Sequence, residues 1–332
     1  MRKSDKYAKL FGVSKLDRLL VATMEEWDDA KHRKLSDEEI GYINSIGIRE
    51  CPYEGCGSTM VKRDGVSKRS GVQRYRCKSC GRSFTPLTGT LFDSNKIPVS
   101  ERLEFILHLL EQHSLKTSAS DNMNAKSTGG YWIFKVFLAL RGCQDPVVLQ
   151  GEEVWYDEFF IPEARSRKEK KRDGTYKRGL SEDQICVFTA TDGVGSVFVA
   201  GPRGKADAKG VLAFLKAHVK EGVAIHHDGD KTHRMAIEEL KLVSKVHYGV
   251  YEEGEEDLME PINTLHSYFS RFLSQHLNLR RSMSQDWLNL FWVSMNIRPL
   301  EIAAKWVIER MVKTKKVVRY RNFYGRKKKK AD

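Results

Sequence analysis

Long apolar runs are missing from this chain of 332 residues, and none approaches the roughly 18 needed to span a bilayer. The opening segment MRKSDKYAKL has no signal-peptide core. These two absences point away from membrane and secreted classes, and the expectation is a cytosolic protein, nucleoid-associated in a bacterium. Acid is in short supply: 44 Asp and Glu face 57 Lys and Arg, for a formal net charge of +13 and a pI near 9.3. A polyanionic partner is expected, and nucleic acid is the commonest. Cysteine is also sparse. Six in a chain of this length and context do not make a disulfide scaffold and argue for metal ligands or reduced thiols. What is present suits a soluble globular protein of two or three modules, with 40% hydrophobic and 30% charged residues.

Four of the cysteines fall into two close pairs, Cys51 with Cys56 and Cys77 with Cys80. Two pairs across a short basic spacer match a four-thiolate tetrahedral Zn²⁺ site, in which the ion substitutes for a hydrophobic core. Gly57 and Gly81 follow the second cysteine of each pair and suit the tight turns that aim thiolates at a metal. Lys62, Arg63, Lys68, Arg69, Arg74, Arg76, Lys78 and Arg82 surround the pairs with Tyr75 among them, and only Asp64 opposes them. Such a ribbon, expected over 49–92, would bind phosphates first and read bases second.

Before the ribbon, residues 1–48 have helical apolar spacing, and SDEEIGYI begins with a Ser N-cap followed by acids. After it, SFTPLTGTLFDSNKIP has the Pro and Gly punctuation of a linker. Over 93–147, SERLEFILHLLEQ and TGGYWIFKVFLALRGC form apolar helical patterns around a polar stretch. This is either a helix-turn-helix with Lys126 near a groove or a structural bundle between domains. Cys143 reads as core.

From Pro146 the pattern turns to strands. VWYDEFFI (154–161) is short and nearly all apolar, as a central strand covered on both faces requires. Asp157 and Glu158 interrupt it, at a desolvation cost that a cation or a set of donors must compensate. A basic segment with Lys170, Lys171 and Arg172 follows, suited to DNA backbone. Then come strands at 185–191 and 196–201, a helix, a strand at 223–228 ending at Asp228, a helix over 231–242, a strand at 245–250, and an amphipathic helix from about Asn263. The order of three antiparallel strands, helix, strand, helix, strand, helix gives an α/β ribonuclease-H-like mixed sheet over 148–300. Its first and fourth strands are neighbours, so Asp157 and Asp228 converge at one edge. Mg²⁺ or Mn²⁺ would relieve their repulsion and activate water or a 3′-hydroxyl. His226, His227, His247 and His276 read as packing or surface, with contact to DNA a lesser alternative for His227, which flanks Asp228. Residues 301–332 form a helix and a basic tail that binds DNA backbone without sequence preference.

CPYEGCG…YRCKSCGRSFTPLTGTLF, VWYDEFFIP, LSEDQICVFTATD and INTLHSYFSRFL together resemble a DDE-type insertion-sequence transposase, of the group with an N-terminal zinc ribbon and an Asn as third catalytic residue. The resemblance implies Asp157 and Asp228 as metal-binding acids and Asn263 as the third member. It also implies hydrolytic cleavage at terminal repeats, transfer of the freed 3′ ends to target DNA, and a homodimer or higher assembly on double-stranded DNA. Where the family has a Lys after the third residue this chain has Ser270 and Arg271, and Arg271 would hold phosphate in its stead. His266 occupies the position of a catalytic Glu in related groups. Asn263 has two readings, ligand or helix N-cap after Pro261, and Glu260 is a further candidate for the metal site. Two other functions share these features: a DNA-binding protein that has lost catalysis, and a nuclease of the same fold without strand transfer.

Overall fold

The computed structural model describes residues 35–68, 70–93, 98–122, 124–162, 184–248, 257–276 and 281–325. The basic segment with Lys170, Lys171 and Arg172, most of the N-terminal helical expectation, Arg69 and the end of the basic tail lie outside the described residues. The chain divides into two compact units, the first ending at Ala139 and taking in the residues from Pro299, the second spanning Leu140–Arg298.

The first unit begins with α1 (Asp37–Ser45), whose start is set by a capping box. The Ser36 hydroxyl accepts from Glu39 N–H, and the Glu39 carboxylate accepts from Ser36 N–H. Glu39 is fully buried, and its other oxygen accepts from Ser100 N–H at 2.9 Å. Glu39→Ala therefore strands a buried donor as well as losing the cap. We expect about 2 kcal/mol of lost stability, seen as an earlier thermal transition, with Glu39→Gln retaining most of it.

Three antiparallel strands follow, β1 (Val61–Val66), β2 (Gln73–Cys77) and β3 (Ser83–Phe84), ordered β1-β2-β3. Their core is small: Cys51, Cys77 and Phe84 are buried, with Tyr75 stacked on Phe84 and Tyr53 edge-on to it. The segment 83–98, expected as a linker, is packed instead over its described part. Phe84 closes the ribbon core, and Thr90, Leu91 and Phe92 are buried. The Lys135 ammonium donates to the Leu91 carbonyl at 2.6 Å. Gly89 (φ 79°), part of the punctuation that suggested a linker, serves a local turn in which its N–H donates to the Asp93 carboxylate. Helices α2 (Val99–Leu110), α3 (Leu115–Asp121) and α4 (Lys126–Leu140) complete the stretch, with α3 formed by residues that the sequence left as a polar connection. Every residue of α2 is buried.

The second unit is built on a five-stranded sheet of β4 (Glu153–Pro162), β5 (Gln184–Thr191), β6 (Ser196–Arg203), β7 (Ala224–His227) and β8 (Val243–Val246), ordered β6-β5-β4-β7-β8. β4, β5 and β6 pair antiparallel, and β4, β7 and β8 pair parallel. This is the ribonuclease-H-like arrangement, with the first strand in the centre. Side chains alternate across β4. Val154 and Tyr156 join the core with Phe214 and Leu215 of α5 (Ala208–His218) and Ala236 of α6 (Arg234–Glu239). On the other face Phe159 packs against Phe269 of α7 (Glu260–Gln275), and Phe198 against Phe291 of α8 (Ser284–Asn296). Trp287, Leu290 and Phe291 of α8 are buried and Met295 is half-buried.

The fifth strand lies two residues earlier than its apolar pattern suggested, and the helix before it is shorter. Lys241 is in the left-handed region (φ 52°), which ends the helical turn and turns the buried Leu242 inward before β8. Helices α9 (Leu300–Lys313) and α10 (Tyr320–Gly325) belong to the first unit. No helix among the described residues is long and apolar enough to cross a membrane.

Candidate active site and metal centres

Parallel pairing of β4 with β7 sets Trp155 opposite His226. Continued two residues, that register sets Asp157 beside Asp228, which lies just past the end of β7. Their juxtaposition shows in the Asp157 carboxyl: burial first, then the charges of Asp228 and Glu158, push its pKa up to about 7. One Asp157 oxygen accepts from Glu158 N–H at 2.8 Å. The other stands 3.8 Å from Nδ1 of His266 on α7. Burial pushes the His266 pKa down to about 4, so the ring is neutral at physiological pH, and its buried Nε2 has no hydrogen-bond partner among the described residues. Asp157 and His266 are thus two neighbouring donors, and Asp228 groups with His227 and His233, whose ligand atoms lie within 4.8 Å of one another.

Glu158 points to the opposite face of β4 from Asp157. The Tyr156 hydroxyl donates to its carboxylate at 2.7 Å, and the same oxygen lies 3.2 Å from Nε2 of His233. The other nitrogen of His233 is 3.6 Å from Asp228 and 3.1 Å from Nδ1 of His227. His227 accepts from Gly229 N–H and bonds Ser244 through Nε2. His233 is 1% exposed. Burial opposes its charge, but Glu158, Asp228 and Asp230 outweigh burial and raise its pKa. His233 thus ties the acid of the central strand to the loop carrying Asp228. His233→Ala removes the imidazole from the largely buried Glu158 carboxylate, which keeps its bond from Tyr156, and we expect about 1–3 kcal/mol of lost stability by denaturant unfolding.

Sequence reasoning missed His233, because a histidine in a short helical turn has no periodic signal. The one available cue was Glu158, a buried acid needing a partner. His227 is buried, which agrees with its reading as a packing residue and leaves its ring no access to DNA.

The structure does not bring Asn263 and Asp157 together through a recorded contact. The Asn263 amide donates to Asp257 at 2.8 Å. Nor is Asn263 an N-cap, since α7 begins at Glu260 with Met259 as its cap residue and Pro261 in its first turn. Pro fits there because the first-turn N–H groups have no partner within the helix, so the start falls three residues before Asn263. Trp155 anchors the approach to α7 by donating to the Leu258 carbonyl at 2.9 Å. Arg271 is exposed on α7, its guanidinium 5.9 Å from the Tyr268 ring.

In the ribbon, Cys51 and Cys80 sulfurs are 3.7 Å apart, as are those of Cys56 and Cys77. Tetrahedral zinc with bonds of about 2.3 Å has S···S edges of about 3.8 Å. All four sulfurs lie within 4.8 Å of one another, so the cluster fits the ion. Gly57 (φ 55°) and Gly81 (φ 70°) adopt the left-handed turns their positions suggested. Hydrogen bonding by Arg82 pulls the Cys80 thiol down to about 6, while burial pushes Cys51 up to about 12. Lys62, Arg63, Lys68, Arg76 and Lys78 are exposed. Arg74 and Arg76 pair with Asp64 at 3.7 and 3.1 Å, which offsets part of their charge.

No family model matches the sequence. An uncharacterized protein in transposable element ISH50 of Halobacterium salinarum is 25% identical over 276 residues, covering 78% of this chain and 90% of that protein. This chain is similar over most of its length to a transposable-element protein. Among solved structures, a pre-cleavage Mos1 transpososome aligns with a TM-score of 0.26 and 11% identity, over 63% of this chain and 79% of that one. The catalytic domain of Mos1 mariner transposase aligns with a TM-score of 0.26 and 12% identity, over 64% and 94%. That protein's transposable-element origin agrees with the resemblance to DDE-type transposases.

Proposed function

We propose that this protein is the transposase of an insertion element and that it cleaves and joins DNA by phosphoryl transfer. The observation that carries this is Asp157 on the central strand, with Asp228 just past the end of the parallel neighbouring strand and its charge helping to hold the Asp157 carboxyl up near 7. Asp157 and Asp228 would hold Mg²⁺ or Mn²⁺, with His266 as the third neighbour. When bound, the cation supplies Lewis-acid activation of water or a 3′-hydroxyl for in-line attack at phosphorus.

The chain's own groups do the rest. His233 and Glu158 hold the Asp228 loop against the central strand. α7 sets His266 over Asp157. The zinc-bearing ribbon, with Lys62, Arg63, Lys68 and Lys78, holds the DNA backbone and positions the element's end. A dimer or higher assembly on two ends follows from the need to join both. Sedimentation with end DNA should give at least two chains per pair of ends.

His266 and Asn263 separate by substitution. His266→Ala is expected to lower cleavage by about 10- to 100-fold. Asn263→Ala, whose amide bonds Asp257, is expected to lower it less. The test of function is incubation with DNA carrying the flanking ends and Mg²⁺ or Mn²⁺, followed by resolution of nicked, released and joined products. Joined products support a transposase. Released cuts without joining make it a nuclease, and tightly bound but intact DNA makes it a binding protein that has lost catalysis.

A further inference from the structure

A second group of metal-ligating side chains lies outside both sites, at the C-terminal end of α2. His108 is in the last turn of the helix, Glu111 is its C-cap, and His113 follows two residues later. Gln112 adopts φ 65°, unusual for a residue with a side chain. That turn folds the chain back, so that His113 N–H donates to the His108 carbonyl at 2.8 Å. The two imidazoles face each other with ring centroids 5.1 Å apart. His108, Glu111 and His113 each offer a ligand atom, all within 4.8 Å of one another. Nδ1 of His113 is buried with no hydrogen-bond partner among the described residues. Nδ1 of His108 stands 3.5 Å from the carboxylate of Asp121, the last residue of α3.

Two imidazoles and a carboxylate, backed by a second carboxylate against one imidazole, form a donor set for a divalent transition metal, zinc first. Metal-bound histidines commonly have a carboxylate against the nitrogen that does not bind, which fixes ring orientation and raises basicity. A hard cation such as Mg²⁺ would be a poor occupant, because it favours oxygen donors. Bonds of about 2.0–2.1 Å bring tetrahedral donors to roughly 3.4 Å apart. Rotation of the Glu111 and His113 side chains, both only half-buried, would close that difference.

We propose that His108, Glu111 and His113 bind a second transition-metal ion, Zn²⁺ by preference, with Asp121 positioning His108. The ion locks the end of α2 to its own C-terminal turn and, through Asp121, to the end of α3. The full-length chain would carry two zinc ions, one on four thiolates and one on nitrogen and oxygen donors.

The test is metal content and Co²⁺ spectroscopy on the full chain. Wild-type protein dialysed against excess Zn²⁺ and then metal-free buffer should retain two equivalents by mass spectrometry. Glu111→Gln and the double variant His108→Ala/His113→Ala should each retain one. In the wild type, Co²⁺ should give one equivalent with thiolate charge-transfer absorption and a second with only weak d–d bands. One equivalent in the wild type, or two undiminished in both variants, would overturn the proposal. So would Co²⁺ absorption that saturates with thiolate character alone, a result independent of how well the variants fold.

Discussion

Asp157→Asn is expected to lower DNA cleavage and joining at least about a thousandfold while making the metal-free protein more stable. The first effect follows from losing a ligand charge at a cation worth several kcal/mol to the transition state. At 1.36 kcal/mol per tenfold, about 4 kcal/mol is three to four powers of ten. The second follows from where the carboxyl sits. Its folded-state pKa is raised from 3.8 to about 7, so between these values the folded protein keeps a proton that the unfolded chain gives up. Stability associated with this group is therefore highest at low pH and falls as pH rises from about 4 to 7. By pH 8 the cost is roughly 3 kcal/mol, allowing for the group's partial exposure. The Asn variant escapes that cost at pH 8 and gains nothing near pH 4. In chelator at pH 8 we expect its melting temperature to exceed the wild type's by about 6–12 °C, with the difference vanishing on acidification. Mg²⁺ should stabilise the wild type and leave the variant unmoved. Equal melting curves at pH 8 would mean that the carboxyl is not held against its own charge.

Removing zinc from the ribbon is the other large effect. The ribbon's buried cluster is Cys51, Cys77 and Phe84, too little apolar area to offset the entropy of ordering three short strands. Structural zinc in small finger peptides contributes an apparent 10–16 kcal/mol or so at neutral pH. Cys77→Ser, or a strong chelator, should therefore unfold this segment. Limited proteolysis should then cut near the exposed basic residues of β1, and affinity for DNA should fall at every salt concentration. The thermal transition of the sheet-bearing second unit should stay within 1–2 °C or so of the wild type. An intact, protease-resistant ribbon after zinc loss would contradict the fit of the four sulfurs.

Much of this was legible in the residues because the relevant patterns are local. Paired cysteines followed by glycine, a Ser cap with acids behind it, and an apolar run broken by two acids all report on their neighbours in sequence. The order β4-β5-β6-α5-β7-α6-β8-α7 followed from the same reading.

What escaped was set by contacts distant in sequence or by backbone conformation. His233 became part of the site only because Glu158, 75 residues earlier, approaches it. Leu91 and Phe92 looked like linker because Pro86, Gly89 and Pro98 punctuate the stretch around them, yet both are buried. The start of β8 depends on Lys241 in a left-handed turn, which propensity does not foresee. The cap reading of Asn263 rested on its neighbour Pro261, but the helix starts three residues earlier, and the Asn263 amide donates to Asp257.

The central claim, that Asp157 and Asp228 together hold the cation that drives DNA breakage and joining, is tested most directly by a strand-transfer assay. It would use DNA bearing the element's ends and compare wild type, Asp157→Asn and Asp228→Asn in Mg²⁺ and in Mn²⁺, with DNA binding measured in parallel. We predict joined products from the wild type alone and undiminished binding by all three. Joined products from either variant at the wild-type rate would contradict the account.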